Sequence, residues 1–102
     1  MRLDRNENAD GKGKYTLVLL RKIERGGAAY HMLMALSEMG VIDWGERHSD
    51  SEFFLIRLKD KFAAPALHAY ALAAQDEEPE FAKDVMAMAV RAEHHPNKKT
   101  PD

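Results

Sequence analysis

Three of the four prolines of the chain, all in its second half, restrict its fold more than any other sequence feature. Because proline lacks a backbone N–H and its ring clashes with the preceding helical turn, it fits only the first turn of a helix or the chain beyond its end. Pro65 therefore predicts a helix over APALHAYALAA, Pro79 predicts a second helix after QDEEPE, and Pro96 ends that helix. The residues predicted to be buried are Leu67, Tyr70, Ala71 and Ala74 in the first helix and Phe81, Val85 and Met88 in the second.

The first half contains one segment with clear helical spacing. In AAYHMLMALSEMG, apolar residues recur at the i, i+3, i+4 and i+7 positions counted from Ala29, and Gly40 follows as a terminator. Residues 14–25 are ambiguous, because this stretch suits either a helix with a broad apolar face or a strand buried on both faces. The basic residues next to Gly26 and Gly27 favour a helix.

Two short aromatic and β-branched runs, VIDWG and EFFLIRLK, are separated by the polar stretch ERHSDS. This arrangement predicts a β-hairpin in which Phe54, Ile56 and Leu58 share one face. With a polar arm or loop at residues 1–13 and a tail at 97–102, the chain is predicted to be a single small α+β domain of about four helices and one hairpin.

The segment LMALSEMGVIDWGERHSDSEFFLIRLKDK, about a quarter of the chain, is similar to part of the winged-helix domains of small bacterial repressors. In that resemblance the helix before Gly40 is the recognition helix, Val41 and Ile42 are the apolar pair, and the hairpin is the wing. The resemblance implies a nucleic-acid-binding fold. Because a helix that contacts DNA is usually basic and this one has no Lys or Arg, nucleic-acid binding is the alternative function.

Composition excludes several classes of protein. A formal net charge of −2 argues against a general nucleic-acid coat, which needs an excess of Lys and Arg. The absence of cysteine excludes disulfides, thiolate metal sites and thiol catalysis. Apolar runs such as LVLL are far too short to span a membrane, and the polar start has no apolar signal segment. We therefore expect a cytoplasmic protein that makes no contact with a membrane.

Oxygen-bearing side chains alternate before a glycine at Asn6, Asn8, Asp10 and Gly11, as in the first half of an EF-hand calcium loop. The twelfth position of such a loop carries a bidentate Glu, and here that position is Leu17. Asn, Asp and Gly also build ordinary turns through local backbone hydrogen bonds. A turn is the preferred interpretation, and neither a metal site nor a cofactor is predicted.

Two charged regions are candidates for binding a macromolecule. The acidic one surrounds a tryptophan in the predicted hairpin, which suits an interface anchor facing a basic protein, although the tryptophan would serve equally in the core. A second acidic stretch, at 76–84, is expected to be a solvated face. The predicted partner-binding residues are Asp43, Trp44, Glu46, Asp50 and Glu52, and the alternative anion-binding residues are Arg5, Lys12, Lys14, Arg21, Lys22 and Arg25.

No residue pattern in the sequence indicates catalysis. The five histidines form neither an HExxH motif nor an i, i+4 pair, and no Ser–His–Asp set stands out. The leading hypothesis is a non-catalytic protein that binds another protein, as an adaptor, regulator or inhibitor of the kind that phages and mobile elements encode. The alternatives are a winged-helix-like nucleic-acid-binding regulator that uses the basic first quarter and, third, a small enzyme or metal-binding protein. The oligomeric state is left open.

Overall fold

The computed structural model describes residues 1–101 and shows an all-helical chain. The α-helices are α1 (Asp4–Glu7), α2 (Ala28–Glu38), α3 (Ala63–Ala74) and α4 (Pro79–Glu93), and a 3₁₀ turn spans Leu20–Lys22. Within residues 1–101 no β-strand forms, and an isolated parallel bridge joins Asp60 and Lys99. The predicted α+β class is therefore wrong. None of the helices in this range has both the length and the apolar character that crossing a membrane requires.

The chain divides into two compact units. The helical-pair unit combines Met1–Tyr15 with the chain from Leu55 onward, and the central unit is Thr16–Phe54. The division into two units does not test the prediction of a single domain, because two compact units also occur within one cooperatively folding domain. Asp102, the end of the predicted tail, lies outside the described residues.

The helical-pair unit is built on α3 and α4, which pack against each other. The proline-based predictions are confirmed: Pro65 lies in the first turn of α3 and Pro79 is the first residue of α4. Pro96 follows the end of α4, as predicted. Because only residues 75–78 separate the helices, α3 and α4 run antiparallel.

Small side chains form the core between α3 and α4. On α4 the buried apolar residues follow a spacing of three, four and three, which is the narrow seam of closely packed helices. Of the predicted core residues, Ala71 and Val85 are buried, but Tyr70 is exposed and makes an edge-to-face contact with Phe81 at 6.2 Å between ring centroids. The buried apolar residues of this unit are Ala63, Ala71, Ala82, Val85, Ala89 and Ala92.

Helix α2 ends as the sequence predicts, at a glycine with positive φ. Gly40 has φ of 77°, its N–H donates to the carbonyl of Ser37 at 3.0 Å, and the N–H of Val41 donates to the carbonyl of Leu36 at 3.1 Å. These two bonds form a Schellman motif, which satisfies the last carbonyls of the helix. The apolar stripe predicted for α2 is nevertheless not a core, because Leu33 alone among the α2 residues is buried.

The helix predicted over residues 14–25 is wrong, since only the 3₁₀ turn Leu20–Lys22 forms there. Leu17, Val18 and Leu19 are all exposed. A short helix depends on burying one face against a partner, and this stretch buries none of these side chains.

The predicted β-hairpin over residues 41–58 is also wrong. Side chains of the segment, instead of a neighbouring strand, form hydrogen bonds with its backbone N–H and carbonyl groups. Two of its residues, Gly45 (φ 56°) and His48 (φ 69°), adopt left-handed backbone conformations. Because the wing of the winged-helix resemblance is this hairpin, that resemblance fails as a description of the fold.

Candidate functional site

The acidic residues predicted from the sequence lie in a loop of the central unit, residues 43–52, which we call the acidic loop. Asp43 organises it: its Oδ1 accepts hydrogen bonds from the N–H of Gly45 at 2.9 Å and from the hydroxyl of Ser51 at 2.9 Å. Glu52 accepts from the N–H of His48 at 3.3 Å. The carboxylates of Asp43 and Glu52 therefore shape the loop.

Glu46 and Asp50 differ from the other two acidic residues of the loop. Both are exposed, and within residues 1–101 no side chain pairs with either carboxylate. The backbone carbonyl of Glu46 accepts a hydrogen bond from the hydroxyl of Ser49 at 2.7 Å, which fixes the backbone without using the charge. These two carboxylates are free to meet a cation from another molecule.

Trp44 is neither a core residue nor a fully exposed one. Its indole Nε1 donates to the hydroxyl of Ser37 near the end of α2 at 2.8 Å, and 41% of the residue is exposed. The hydrogen bond satisfies the polar edge of the ring, so the remaining exposed surface is mostly apolar. Trp44 is therefore held in a defined position within the acidic loop.

The ring of Phe53 lies directly against Gly45, in the space that a Cβ at Gly45 would occupy. Gly45 also has a positive φ, which L-residues with side chains rarely adopt. A side chain at this position would therefore both strain the backbone and displace the ring of Phe53.

Replacing Gly45 with Ala should destabilise the acidic loop more than the same change at Gly26. Gly26 also has a positive φ (82°) but open space around the new methyl group, so Gly26→Ala should lower the free energy of unfolding by about 1 to 2 kcal/mol. Gly45→Ala adds a clash with Phe53. Urea unfolding followed by fluorescence of the single tryptophan, Trp44, measures both effects, and equal losses in the two variants would contradict this contact.

The central unit also exposes an unusual amount of apolar side chain. Phe54 is 86% exposed, and the stripe of α2 at Met32, Leu36 and Met39 has i, i+4 and i+7 spacing yet faces solvent. The exposed large hydrophobic residues of this unit are Leu17, Val18, Leu19, Leu20, Met32, Leu36, Met39, Val41, Trp44, Phe53 and Phe54.

The six predicted anion-binding residues are all exposed but are not in one compact unit. Three belong to the helical-pair unit and three to the central unit. The helical-pair unit contains Arg5, Lys12 and Lys14, and the central unit contains Arg21, Lys22 and Arg25.

Part of the stretch that resembles half a calcium loop forms a turn, as predicted: Asn6 lies in α1, and the N–H of Gly11 donates to the carbonyl of Asn8 at 3.0 Å. Asp10 Oδ1 accepts from the N–H of Lys12 at 2.9 Å, and the Asn8 side-chain amide donates to the carbonyl of Lys12 at 2.6 Å. The N–H of Lys14 donates to Asp4 Oδ2 at 2.8 Å and holds the pKa of the Asp4 carboxyl below its ordinary value. These oxygens and amides fix the shape of the turn.

Sequence reasoning missed Asp84, which it placed on a solvated face. Asp84 is buried on α4, where Arg2 donates from Nε to Oδ2 at 3.2 Å and from Nη2 to Oδ1 at 3.0 Å, and the N–H of Leu3 donates to Oδ2 at 3.0 Å. The hydrogen bonds from Arg2 and then Leu3 lower the pKa of Asp84 to about 2. The sequence indicated that Asp84 faces the core through its position three residues after Phe81 and four before Met88, within the apolar stripe of the helix.

No protein-family model matches this chain, and neither a curated protein nor a solved structure shows significant similarity to it.

Proposed function

We propose that this chain is a non-catalytic, cytoplasmic protein-binding module, an adaptor, regulator or inhibitor, whose contact surface lies in the central unit. The observation that carries the proposal is the exposed apolar surface of residues 16–54, where Leu33 is the buried hydrophobic residue and the other large ones are exposed or half-buried. Exposed apolar surface of this extent, next to charged residues, is typical of interaction sites. The lack of cysteine is compatible with a cytoplasmic location, because the chain needs no oxidising compartment to form disulfides.

The chemistry of the acidic loop favours a basic partner. Glu46 and Asp50 are exposed and unpaired within the described part of the chain, while residues 38–52 contain five carboxylates and one arginine. Charges at the rim of an interface mainly speed the encounter with a partner of opposite charge, whereas a central aromatic residue supplies affinity. Trp44 and the two free carboxylates fit these two roles.

Reversing both free charges, Glu46→Lys together with Asp50→Lys, should slow association with the partner about tenfold and make the remaining rate less sensitive to salt. Stability should change by no more than about 0.5 kcal/mol, since both side chains are exposed and neither carboxylate forms an ion pair within the described residues. The partner is first captured from a nuclease-treated lysate of the cells that encode this chain and is then purified. Its association with the parent and variant chains is followed by surface plasmon resonance. The matched control is Glu24→Lys with Glu93→Lys, which changes the net charge equally; the same slowing in the control would contradict a role for the loop.

Trp44→Ala should weaken binding to the purified partner by about 2 kcal/mol or more, a factor of about thirty in Kd. Because Trp44 is partly exposed, its loss should lower the free energy of unfolding by less than the 3 to 5 kcal/mol typical of a buried tryptophan. Calorimetry of binding and urea unfolding separate the two effects. If the variant is less stable than the parent but its folded fraction binds the partner with the parent's affinity, Trp44 is part of the scaffold and not of the contact surface.

The same experiments distinguish the nucleic-acid alternative. Capture that disappears after nuclease treatment, and that is lost on charge reversal at Lys12 and Lys14 instead of the acidic loop, would indicate a phosphate-binding surface. Such binding would weaken steeply as salt is raised.

A further inference from the structure

Helix α2 has an apolar face on the side that points away from its own unit. Buried Leu33 and half-buried Tyr30 and Ser37 mark the inner side of the helix. At about 100° per residue, positions 28, 32, 35 and 39 lie on the opposite side. Met32 and Met39 there are 68% and 72% exposed, and none of the four side chains is charged. We call this row the outer seam: Ala28, Met32, Ala35 and Met39.

The outer seam has the spacing by which two helices pack as a coiled coil. Its residues follow one another at intervals of four, three and four, so they occupy successive d, a, d and a positions of a heptad. Both a positions are methionine and both d positions are alanine. A row of alternating large and small side chains therefore runs along about three turns of helix.

This alternation is complementary to itself in the antiparallel orientation. When two α2 helices pack antiparallel about a twofold axis, each a position of one faces a d position of the other. Met32 then packs on Ala35 of the second copy, and Met39 packs on its Ala28, so each large side chain fills the space that a small one leaves. A parallel pair would set methionine against methionine and alanine against alanine, which leaves gaps at the alanines.

The residues that flank the outer seam are complementary in the same orientation. His31 and Glu38 occupy g positions on one flank, and Ala29 and Leu36 occupy e positions on the other. In the antiparallel pair each flank faces the same flank of the second copy, so His31 meets Glu38 and Leu36 meets Ala29. All four residues are exposed, and neither His31 nor Glu38 forms an ion pair within residues 1–101.

The composition of α2 disfavours other occupants of this face. The helix contains no Lys or Arg, the residues with which a helix on a membrane surface attracts anionic headgroups. The outer seam itself has no carboxylate that would pair with a basic peptide. Trp44 of the acidic loop is bonded to Ser37, on the inner side of the helix, so it is not part of the outer seam.

We propose that the outer seam packs antiparallel against the outer seam of a second copy and makes this chain a reversible homodimer. A helix of eleven residues is about 16 Å long, so two of them bury less than the roughly 1,200 Å² of a stable interface. The dissociation constant should therefore lie at about 10 to 100 μM. The pairing leaves the acidic loop free for the partner proposed above and goes beyond that function.

Sedimentation equilibrium of the full chain tests the pairing. With this dissociation constant the parent should be mostly monomeric at about 2 μM and mostly dimeric at about 0.5 mM. Met32→Glu places a charge in the seam of both copies and should weaken dimerisation at least about tenfold. Its control, Leu72→Glu, makes the same change at an exposed leucine of α3 and should leave the dissociation constant unchanged. Circular dichroism verifies that the helices of both variants are intact.

Introduced cysteines report the orientation, because the chain has none of its own. A mixture of Ala28→Cys and Met39→Cys chains, mildly oxidised at about 0.5 mM, should form a disulfide between the two variants, since a disulfide needs Cα atoms within about 7 Å. Either variant alone should form little disulfide. In the antiparallel pair, two copies of the same position lie about 16 Å apart along the helix axis.

The proposal is overturned by any of four results: a monomer at 0.5 mM, dimerisation that survives Met32→Glu, dimerisation that Leu72→Glu abolishes, or equal disulfide yields from each cysteine variant alone and from the mixture. The last result would make the pairing parallel. The double change at Glu46 and Asp50 should leave dimerisation unchanged, so failure of the acidic-loop proposal is distinguishable from failure of this one.

Discussion

Replacing Ala92 with Leu should lower the free energy of unfolding by about 1 to 3 kcal/mol, the usual cost of inserting methylene groups into a packed interior. Ala92 is 0% exposed and lies in the last turn of α4. The core between α3 and α4 is made mainly of alanines, so the helix backbones approach closely and leave no room for a larger side chain. The added volume must separate the helices or force a strained rotamer.

Ala87→Leu is the matched control, because Ala87 lies on the exposed side of the same helix and Leu is nearly as good a helix former as Ala. Thermal and urea unfolding followed by circular dichroism should show a loss for Ala92→Leu and little change for Ala87→Leu. An Ala92→Leu protein as stable as the parent would mean that α3 and α4 are not packed through this seam.

Acidification should destabilise the helical-pair unit through Asp84. Its pKa lies at about 2 in the folded protein, below its ordinary value of 3.8, because Arg2 and the N–H of Leu3 donate hydrogen bonds to the ionised carboxylate. The stabilisation from the ionised form is thus fully present above about pH 4 and is lost as the pH falls toward 2. The pKa of Arg2 is raised by the same pairing, so Arg2 stays charged throughout this range.

Asp84→Asn should lower stability at pH 7, since Arg2 loses its buried counter-ion, and should flatten the dependence of stability on pH between about 4 and 2. Asp76→Asn, at an exposed position, should leave both properties near those of the parent. Urea unfolding at a series of pH values measures them. An unchanged pH dependence in Asp84→Asn would show that the carboxylate makes no net contribution to folding.

The prolines and Gly40 allowed the positions of α2, α3 and α4 to be predicted from sequence. Proline removes a backbone donor and glycine adopts positive φ without strain, so these effects act on the local backbone whatever the tertiary context. The acidic loop was likewise identified as a charged surface segment, but its hairpin geometry was wrong. Asp43 satisfies the loop backbone through its side chain, and sequence spacing does not distinguish that bond from a strand ladder.

Proline and glycine in the sequence specified the positions of α2, α3 and α4 but neither α1 nor the course of residues 14–25, and the sequence also identified the residue types available for binding. Which faces of the helices are buried depends on tertiary packing. The alanines of α4 became a core while the larger Met32 and Leu36 of α2 stayed exposed, because burial depends on a partner surface that periodicity does not specify. Asp84, one acidic residue among several in its stretch, is buried because folding brings Arg2, distant in sequence, within hydrogen-bond distance.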